Sequence, residues 1–410
     1  MTGERRVVVT GLGAASCLGH SAAETWAAVL AGQSGIRLHT FDSGEYGPPP
    51  FTAPAALVPD GYEQACEAAM GRRIVGALDP FALYALGSAF EALRQADLLE
   101  HGALKKRTAI VLGHGQGAFS TMEGCFERFF GRRTPRVHPY SIPRGMMSAG
   151  VSAISMQFGI QGPGFATSSA CASSAHAMLQ GAELVRSGVA DIAVVGGSDA
   201  MCTPGGMAVW LSIGAVSPTT CRPFSEGRDG MVLGDGGAIL VLEALEHAEA
   251  RGAQILGEFL AGATSSDAFH ITQPSLEGPT AAMRETAEAA RLLEEDEVLI
   301  SAHGTGTPLN DQNEAAAIGQ VFGDAVRRHP VIATKSAHAH VLGGSPALQA
   351  VIGLMALRDR LAPPILNFLG PAPDCDLNLV LGEPRKLQAR RMLLNAFAFG
   401  GSNVALAFGA

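Results

Sequence analysis

Short apolar runs bounded by glycine alternate with longer amphipathic segments along almost the whole chain, the pattern of strands and helices in turn. Arg6 to Thr10 reads as a buried strand ended by Gly11-Leu12-Gly13, and Ser21 as the N-cap of a helix from Ala22 to Ala31. Phe41 to Glu63 is rich in proline and glycine and reads as an irregular surface excursion. Asp79 caps a helix through Leu98, whose apolar face is Phe81, Leu83, Tyr84, Leu86, Phe90 and Leu93. Thr108 to Leu112 is a strand running into Gly113-His114-Gly115-Gln116-Gly117. Phe126 to Arg136, aromatic and basic, is a loop or short helix, and Pro143 to Phe158 is helical. Ala172 to Val185 is a helix, and Ile192 to Val195 a strand closing on Gly196-Gly197-Ser198. Gly237 to Leu245 is a strand leading into a helix from Glu243.

A second series follows. Strands are expected at Ile255 to Gly262, Val298 to Ser301, Val331 to Thr334, Leu377 to Leu381, Met392 to Ala396 and Val404 to Phe408. Helices are expected at Gly278 to Leu293, Asp311 to Phe322 and Ser345 to Asp359. The two series share an order of strand, turn and long small-residue helix, which reads as an internal duplication meeting near residue 255. The halves are 1–254 and 255–410. No Pro/Ser-rich linker divides them, so they share one core. Strands alternating with helices make an α/β architecture.

Composition narrows the function classes. The chain has 410 residues and 47% hydrophobic content, enough for a large core in two domains or one duplicated one. Charged residues are only 16%, as expected if a partner subunit covers part of the surface. A formal charge of −9 with no basic run argues against nucleic acid as partner. The seven cysteines show no C-x-x-C spacing and no disulfide framework, so neither a thiolate metal site nor an oxidising compartment is indicated. A reduced, cytoplasmic setting fits. The chain goes from Met1-Thr2-Gly3-Glu4-Arg5-Arg6 straight into Val7-Val8-Val9, a strand and not the core of a signal peptide, and no apolar run is long enough to span a membrane.

The chemistry centres on Gly162 to Met178. Turn formers and small residues lead to Cys171 at the start of a helix. Unpaired N–H groups and the helix dipole there favour thiolate over thiol, so the sulfur reads as a nucleophile active near neutral pH. The other reading is a buried small hydrophobe. In the second half, turns rich in Gly, Ser and Thr follow predicted strands: Ala302 to Asp311 with Glu314 beyond, Ala333 to Gly344, and Asn395 to Asn403. Glycine lets backbone approach a ligand at such turns. Taken singly, each histidine reads more readily as a hydrogen-bonded structural residue. Together with Cys171 these turns supply a thiol, imidazoles and the Lys335 ammonium.

Four motifs in order carry a resemblance: Ser169-Ala170-Cys171-Ala172-Ser173-Ser174, His303-Gly304-Thr305-Gly306-Thr307-Pro308, Thr334-Lys335-Ser336 with His340, and Asn395 to Asn403. Val9 to Gly13, Arg222-Pro223-Phe224, Arg228-Asp229-Gly230 and Ser266 to His270 add to it. The chain resembles, over essentially its whole length, the β-ketoacyl-[acyl carrier protein] synthases. These are decarboxylating condensing enzymes of the thiolase-like fold, with duplicated halves in an αβαβα sandwich. The resemblance implies a role for each residue. Cys171 takes up the acyl chain. His303 and His340 flank the malonyl thioester and stabilise the enolate formed when CO2 leaves. Lys335 holds the charge network, and Glu314 supports it from behind or is a solvated carboxylate. The N–H groups of Cys171 and Phe399 form the oxyanion hole, with Phe399 also gating the acyl pocket. Thr305 and Thr307 hold the phosphopantetheine arm. Gln116 and Trp210 are expected at the acyl pocket, Gln116 alternatively at a subunit interface. Arg72 and Arg73 dock the acidic carrier protein or form an ordinary solvated pair.

The resemblance implies no redox cofactor and no metal, with substrates delivered on acyl carrier protein to a homodimer or to a heterodimer with a chain-length factor. The run Lys335-Ser336-Ala337-His338-Ala339-His340 is closer to nodulation-type and specialised ketosynthases than to housekeeping ones, whose usual glycine is here Ala339. Ser402 stands for the usual Thr. Gln116 in place of an apolar residue points to unusual, unsaturated or polyene, acyl chains. A non-catalytic carrier-binding scaffold is disfavoured by the intact thiol, imidazoles and lysine. A thiolase would need a second cysteine in Phe397 to Asn403, and an initiating synthase would carry Asn at His340.

Overall fold

Alternate residues of each central strand belong to different cores, and this period of two builds the layers. The computed structural model describes residues 5–99 and 105–410, so the polar lead-in Met1 to Glu4 lies outside the described residues. Ten strands form one mixed sheet: β1 (Val7–Ala15), β2 (Thr108–Gly113), β3 (Gly164–Thr167), β4 (Ile192–Asp199), β5 (Gly236–Ala244), β6 (Gly257–Ser266), β7 (Leu299–Ser301), β8 (Val331–Ile332), β9 (Arg391–Ala398) and β10 (Ser402–Gly409).

The spatial order is β8-β7-β9-β10-β6-β1-β5-β4-β2-β3. Each half therefore runs third, second, fourth, fifth, first, with the same parallel and antiparallel pairings. The topology itself is duplicated. Within the sheet, the halves join where Val7, Val8 and Val9 pair with Phe259, Glu258 and Gly257.

Six main helices complete the five layers: α1 (Pro80–Gln95), α2 (Ala149–Phe158), α3 (Ser173–Arg186), α4 (Glu277–Ala289), α5 (Pro308–Phe322) and α6 (Ser345–Asp359). Val111, Val195 and Leu240 face inward onto α3 and α6, together with Leu394 and Leu406 from the other half. Ile110, Leu112 and Val194 face outward onto α1 and α2. Ile300, Leu393 and Ala405 face outward onto α4 and α5. The shared middle layer is why no linker separates the halves.

Several elements depart from expectation. β1 runs through Gly11-Leu12-Gly13, with an irregularity between Val9 and Gly11, because α1 lies so close that side chains there would strike it. β4 likewise continues through its glycines to Asp199. The expected excursion at Phe41 to Glu63 overlaps a hairpin, Arg37–Phe41 with Phe51–Ala56, and runs into a helix, Tyr62–Met70. The hairpin is not idle. Ala55 and Ala56 pair with Leu233 and Gly234, and Leu233 bridges to His340. Leu377 to Leu381 makes isolated bridges, not a strand. A helix at Pro204–Ser212 was not expected.

Glycines here serve opposite ends, which gives a test. A Cβ on Gly11 would sit 2.1 Å from the Ala92 carbonyl oxygen, whereas one on Gly319 in α5 meets nothing within 4 Å. Gly11→Ala should lower the melting temperature by several degrees. Gly319→Ala should raise it slightly, since helix propensity is worth about 0.5–1 kcal/mol. Equal shifts in a thermal-unfolding comparison would contradict this packing.

Candidate active site

Cys171 stands between β3 and α3, after Ala170, whose φ is +50°. That left-handed residue turns the chain sharply and is held by hydrogen bonds. Ser169 N–H donates to Ser173 Oγ (2.9 Å), and that hydroxyl donates to Ala170 O (2.6 Å). No side chain caps the first turn of α3. The N–H groups of Cys171 and Phe399 both favour the thiolate.

His303 follows β7, and its position is set through its backbone. Glu314, fully buried on α5, accepts from His303 N–H (2.7 Å), Gly304 N–H (2.8 Å) and Asn395 Nδ2 (3.0 Å). Burial raises the Glu314 carboxyl, and these donors oppose the rise. Glu314 is thus no solvated carboxylate. His340 is anchored by its N–H to Val232 O (2.7 Å), on the segment that extends the hairpin sheet. The preceding Ala339 sits at φ +61°, a conformation that costs an alanine more than a glycine.

Lys335 is completely buried. Its ammonium donates to His303 O (2.6 Å) and Gln349 Oε1 (2.8 Å) and lies 3.4 Å from His303 Nδ1. An ammonium has no lone pair, so His303 Nδ1 must be the acceptor and the proton sits on Nε2. His340 reaches the same state differently. Ser345 Oγ accepts from Val341 N–H (2.8 Å) and has its own hydrogen to give to His340 Nδ1 (2.9 Å). Burial first, and then the Lys335 charge, hold both imidazoles well below their usual pKa, so both are neutral. Their rings are 5.5 Å apart and nearly perpendicular. His340 Nε2 is buried without a protein partner. The result is two Nε2–H donors.

These donors and Cys171 line one cavity of about 500 Å³. Thr305, Thr307, Phe397 and Phe399 line it as well. The two threonine hydroxyls bond each other at 2.9 Å. Trp210 does not reach the cavity; it stacks on Phe399 from behind, with ring centroids 6.3 Å apart. Gln116 does not line the cavity either. Asp199 accepts from the N–H groups of Gly115, Gln116, Gly117 and Gly343 at 2.8–3.3 Å, and the pinned loop leaves the Gln116 side chain exposed. Arg72 and Arg73 are exposed on a short helix, and Arg72 lies 3.7 Å from Glu67.

The surroundings of Cys171 oppose the acidity that the start of a helix would lend it. Burial pushes the thiol up to about 12, against the pull of the Lys335 charge and the two N–H groups. Desolvation of a thiolate outweighs the helix end. Asp199, Gln349 and Asn395 are site residues that the motifs did not assign. Gln349 had a signal: apart from the first-turn Ser345, it is the one polar residue in the buried Ser345–Leu357 stretch of α6. Among the described residues no cluster of His, Cys, Asp or Glu could hold a metal ion.

Residues 4–248 match the β-ketoacyl synthase N-terminal domain and residues 256–369 its C-terminal domain. The chain belongs to the β-ketoacyl synthase family. It is 38% identical over 407 residues to nodulation protein E of Rhizobium meliloti, covering 99% of both chains. It is 33% identical over 416 residues to 3-oxoacyl-[acyl-carrier-protein] synthase 2 of Staphylococcus aureus, covering 100% of this chain and 99% of the relative. Among solved structures, the ishigamide ketosynthase/chain length factor superposes with a TM-score of 0.90 at 32% identity, over 99% of each chain. The duplicated sheet and layered helices are thus those of a ketosynthase.

This ketosynthase should show a resting Cys171 that is mostly thiol. Alkylation by a small neutral electrophile should rise about tenfold per pH unit through pH 9. Lys335→Ala, which removes the pull on the thiolate, should slow it further. A rate that levels off near pH 7, read by peptide mass spectrometry, would contradict the burial argument.

Proposed function

We propose that this chain joins an acyl group, held as a thioester on Cys171, to a malonyl group carried on the phosphopantetheine of acyl carrier protein. One observation carries the reading: two neutral imidazoles, each with its proton on Nε2, face the cavity that holds the Cys171 sulfur.

The chemistry follows from those donors. Cys171 Sγ attacks the acyl thioester; the sulfur–carbon bond to the enzyme forms, and the carrier leaves as a thiol with the Cys171 proton. The N–H groups of Cys171 and Phe399 hold the oxyanion. Malonyl thioester then enters with its carbonyl oxygen against the Nε2–H groups of His303 and His340. The bond to its carboxylate breaks, CO2 departs, and the electron pair becomes an enolate on that oxygen. The enolate carbon attacks the acyl carbonyl, and Cys171 leaves as thiolate and regains a proton from solvent. Lys335 holds His303 in its donor state, and Glu314 holds the His303 backbone. Thr305 and Thr307 bind the pantetheine arm, and Phe399, braced by Trp210, gates the acyl chain. The steps draw on no redox cofactor and no metal.

The carrier protein docks at the exposed Arg72 and Arg73. The edge strand β3 exposes Phe165, with Met156 and Ile142 also exposed. This face takes a partner chain, either a second copy or a chain-length-factor-like subunit; in the latter case Cys171 makes this chain the catalytic half. The halves 1–254 and 255–410 supply the thiol and the imidazole–lysine motifs respectively. The seven free cysteines accord with a cytoplasmic setting, and no described helix is long and apolar enough to cross a membrane.

His303→Ala and His340→Ala should each cut CO2 release from malonyl-carrier protein by about 10²–10³-fold, the worth of one oxyanion donor. Acyl loading of Cys171 should fall far less. Burial lowers Lys335 to about 8, so decarboxylation should decline above that pH as the ammonium is lost. Radiolabelled CO2 release across pH 6–10 tests both points, and equal loss of loading and decarboxylation would contradict the assigned roles.

A further inference from the structure

Gln349 makes four potential polar contacts inside a helix stretch where every residue from Ser345 to Leu357 is buried. Its Oε1 accepts from Lys335 Nζ at 2.8 Å. Its Nε2 donates to Ala302 O at 2.9 Å and lies 3.3 Å from Asn395 O and 3.5 Å from Ser301 O. The orientation of the amide is forced. Lysine can only donate and carbonyls can only accept, so the oxygen must face Lys335 and the nitrogen the carbonyls. Gln349 therefore clamps the end of β7, strand β9 and the lysine together from the middle layer.

We propose that Gln349 is a positioning residue of the condensing site: it gives Lys335 a neutral acceptor that fixes the lysine beneath His303, without adding a negative charge to the buried network. The proposal rests on the ketosynthase reading of His303 and extends it to how this site sets its charge. A glutamate of the same size would satisfy the lysine but would place its second oxygen against the Ala302 and Asn395 carbonyls. A methionine would fill the space and hold neither group.

The charge consequence can be followed group by group. The direct acceptors of Lys335 are neutral: a carbonyl, an amide and an imidazole. Glu314 and Asp311 face it from α5, Cys171 from the start of α3, and Cys221 from the loop before β5. His303, His338 and His340 face it as neutral rings, each lowered by burial and by the lysine charge. With no carboxylate in direct contact, the ammonium is easier to discharge, in line with the lowering of Lys335 by burial. An acid at position 349 would reverse this.

The chain has four lysines, Lys105, Lys106, Lys335 and Lys386. Protein labelled with [13Cε]lysine therefore gives a readable titration, with Lys335 assigned from Lys335→Arg. The Lys335 midpoint should lie below the ordinary lysine range in the full-length wild type. In Gln349→Glu it should rise by about one unit or more, the effect of an opposite charge in contact. In Gln349→Met it should fall, and malonyl decarboxylation should drop about tenfold or more while acyl loading of Cys171 falls far less. If Gln349→Glu does not fold, the Gln349→Met midpoint decides. An unmoved Lys335 midpoint in the folded variant overturns the proposal. Wild-type protein that releases no CO2 would instead count against the ketosynthase reading, and the lysine titration would still decide the role of Gln349.

Discussion

A lysine with no exposed surface is the constraint around which this site is built. Burying an ammonium costs several kcal/mol unless its donors are met. The chain meets them with the His303 carbonyl and the Gln349 amide. Holding the ammonium there has two consequences. It compels His303 to accept at Nδ1, and it places a positive charge that pulls on the Cys171 thiol. One cation thus couples the nucleophile in the first half to the imidazole in the second.

The duplicated sheet explains why such coupling is possible. Both copies end strands at the same side of a shared helical layer, so α3 brings Cys171 and α6 brings Gln349 and Ser345 to one place. Asp199 ties the His114-to-Gly117 loop to Gly343, which fixes the two halves against each other near the thiol. Strain accompanies this convergence. Ala170 and Ala339, each immediately before a reactive side chain, occupy positive φ. Surrounding hydrogen bonds hold both where unconstrained alanines would relax.

Much of this was legible in the sequence, and the exceptions have causes. Ser345–Asp359 was located to the residue because it is one long run of apolar and small residues, and Ser21 and Asp79 were located as caps by their side-chain oxygens. β1 and β4 run on past glycines at which strand ends were expected, since only the packed helix at Gly11 and Gly13 and the close neighbouring strands at Gly196 and Gly197 reveal that those glycines are spacers, not turns. The hairpin at residues 37–56 was obscured by its prolines, and its value lies in a long-range bridge to His340. Cys171, His303, Lys335 and His340 were recognisable as motifs. The Cys171 environment was not, because helix position is local and desolvation depends on the whole fold. Gln116, expected at the acyl pocket or at a subunit interface, has an exposed side chain on a loop whose backbone Asp199 holds. Gln349 lay unremarked as one polar letter in an apolar run.

The central claim is that Cys171 carries the acyl chain to a malonyl-derived enolate. Intact-protein mass spectrometry tests it most directly. Wild type and Cys171→Ala are incubated with saturated and polyene acyl-carrier proteins and then chased with malonyl-carrier protein. The account predicts an acyl adduct on the wild type alone, lost in the chase as β-ketoacyl product forms. No adduct from any donor on folded protein, with or without a chain-length-factor-like partner, would contradict it.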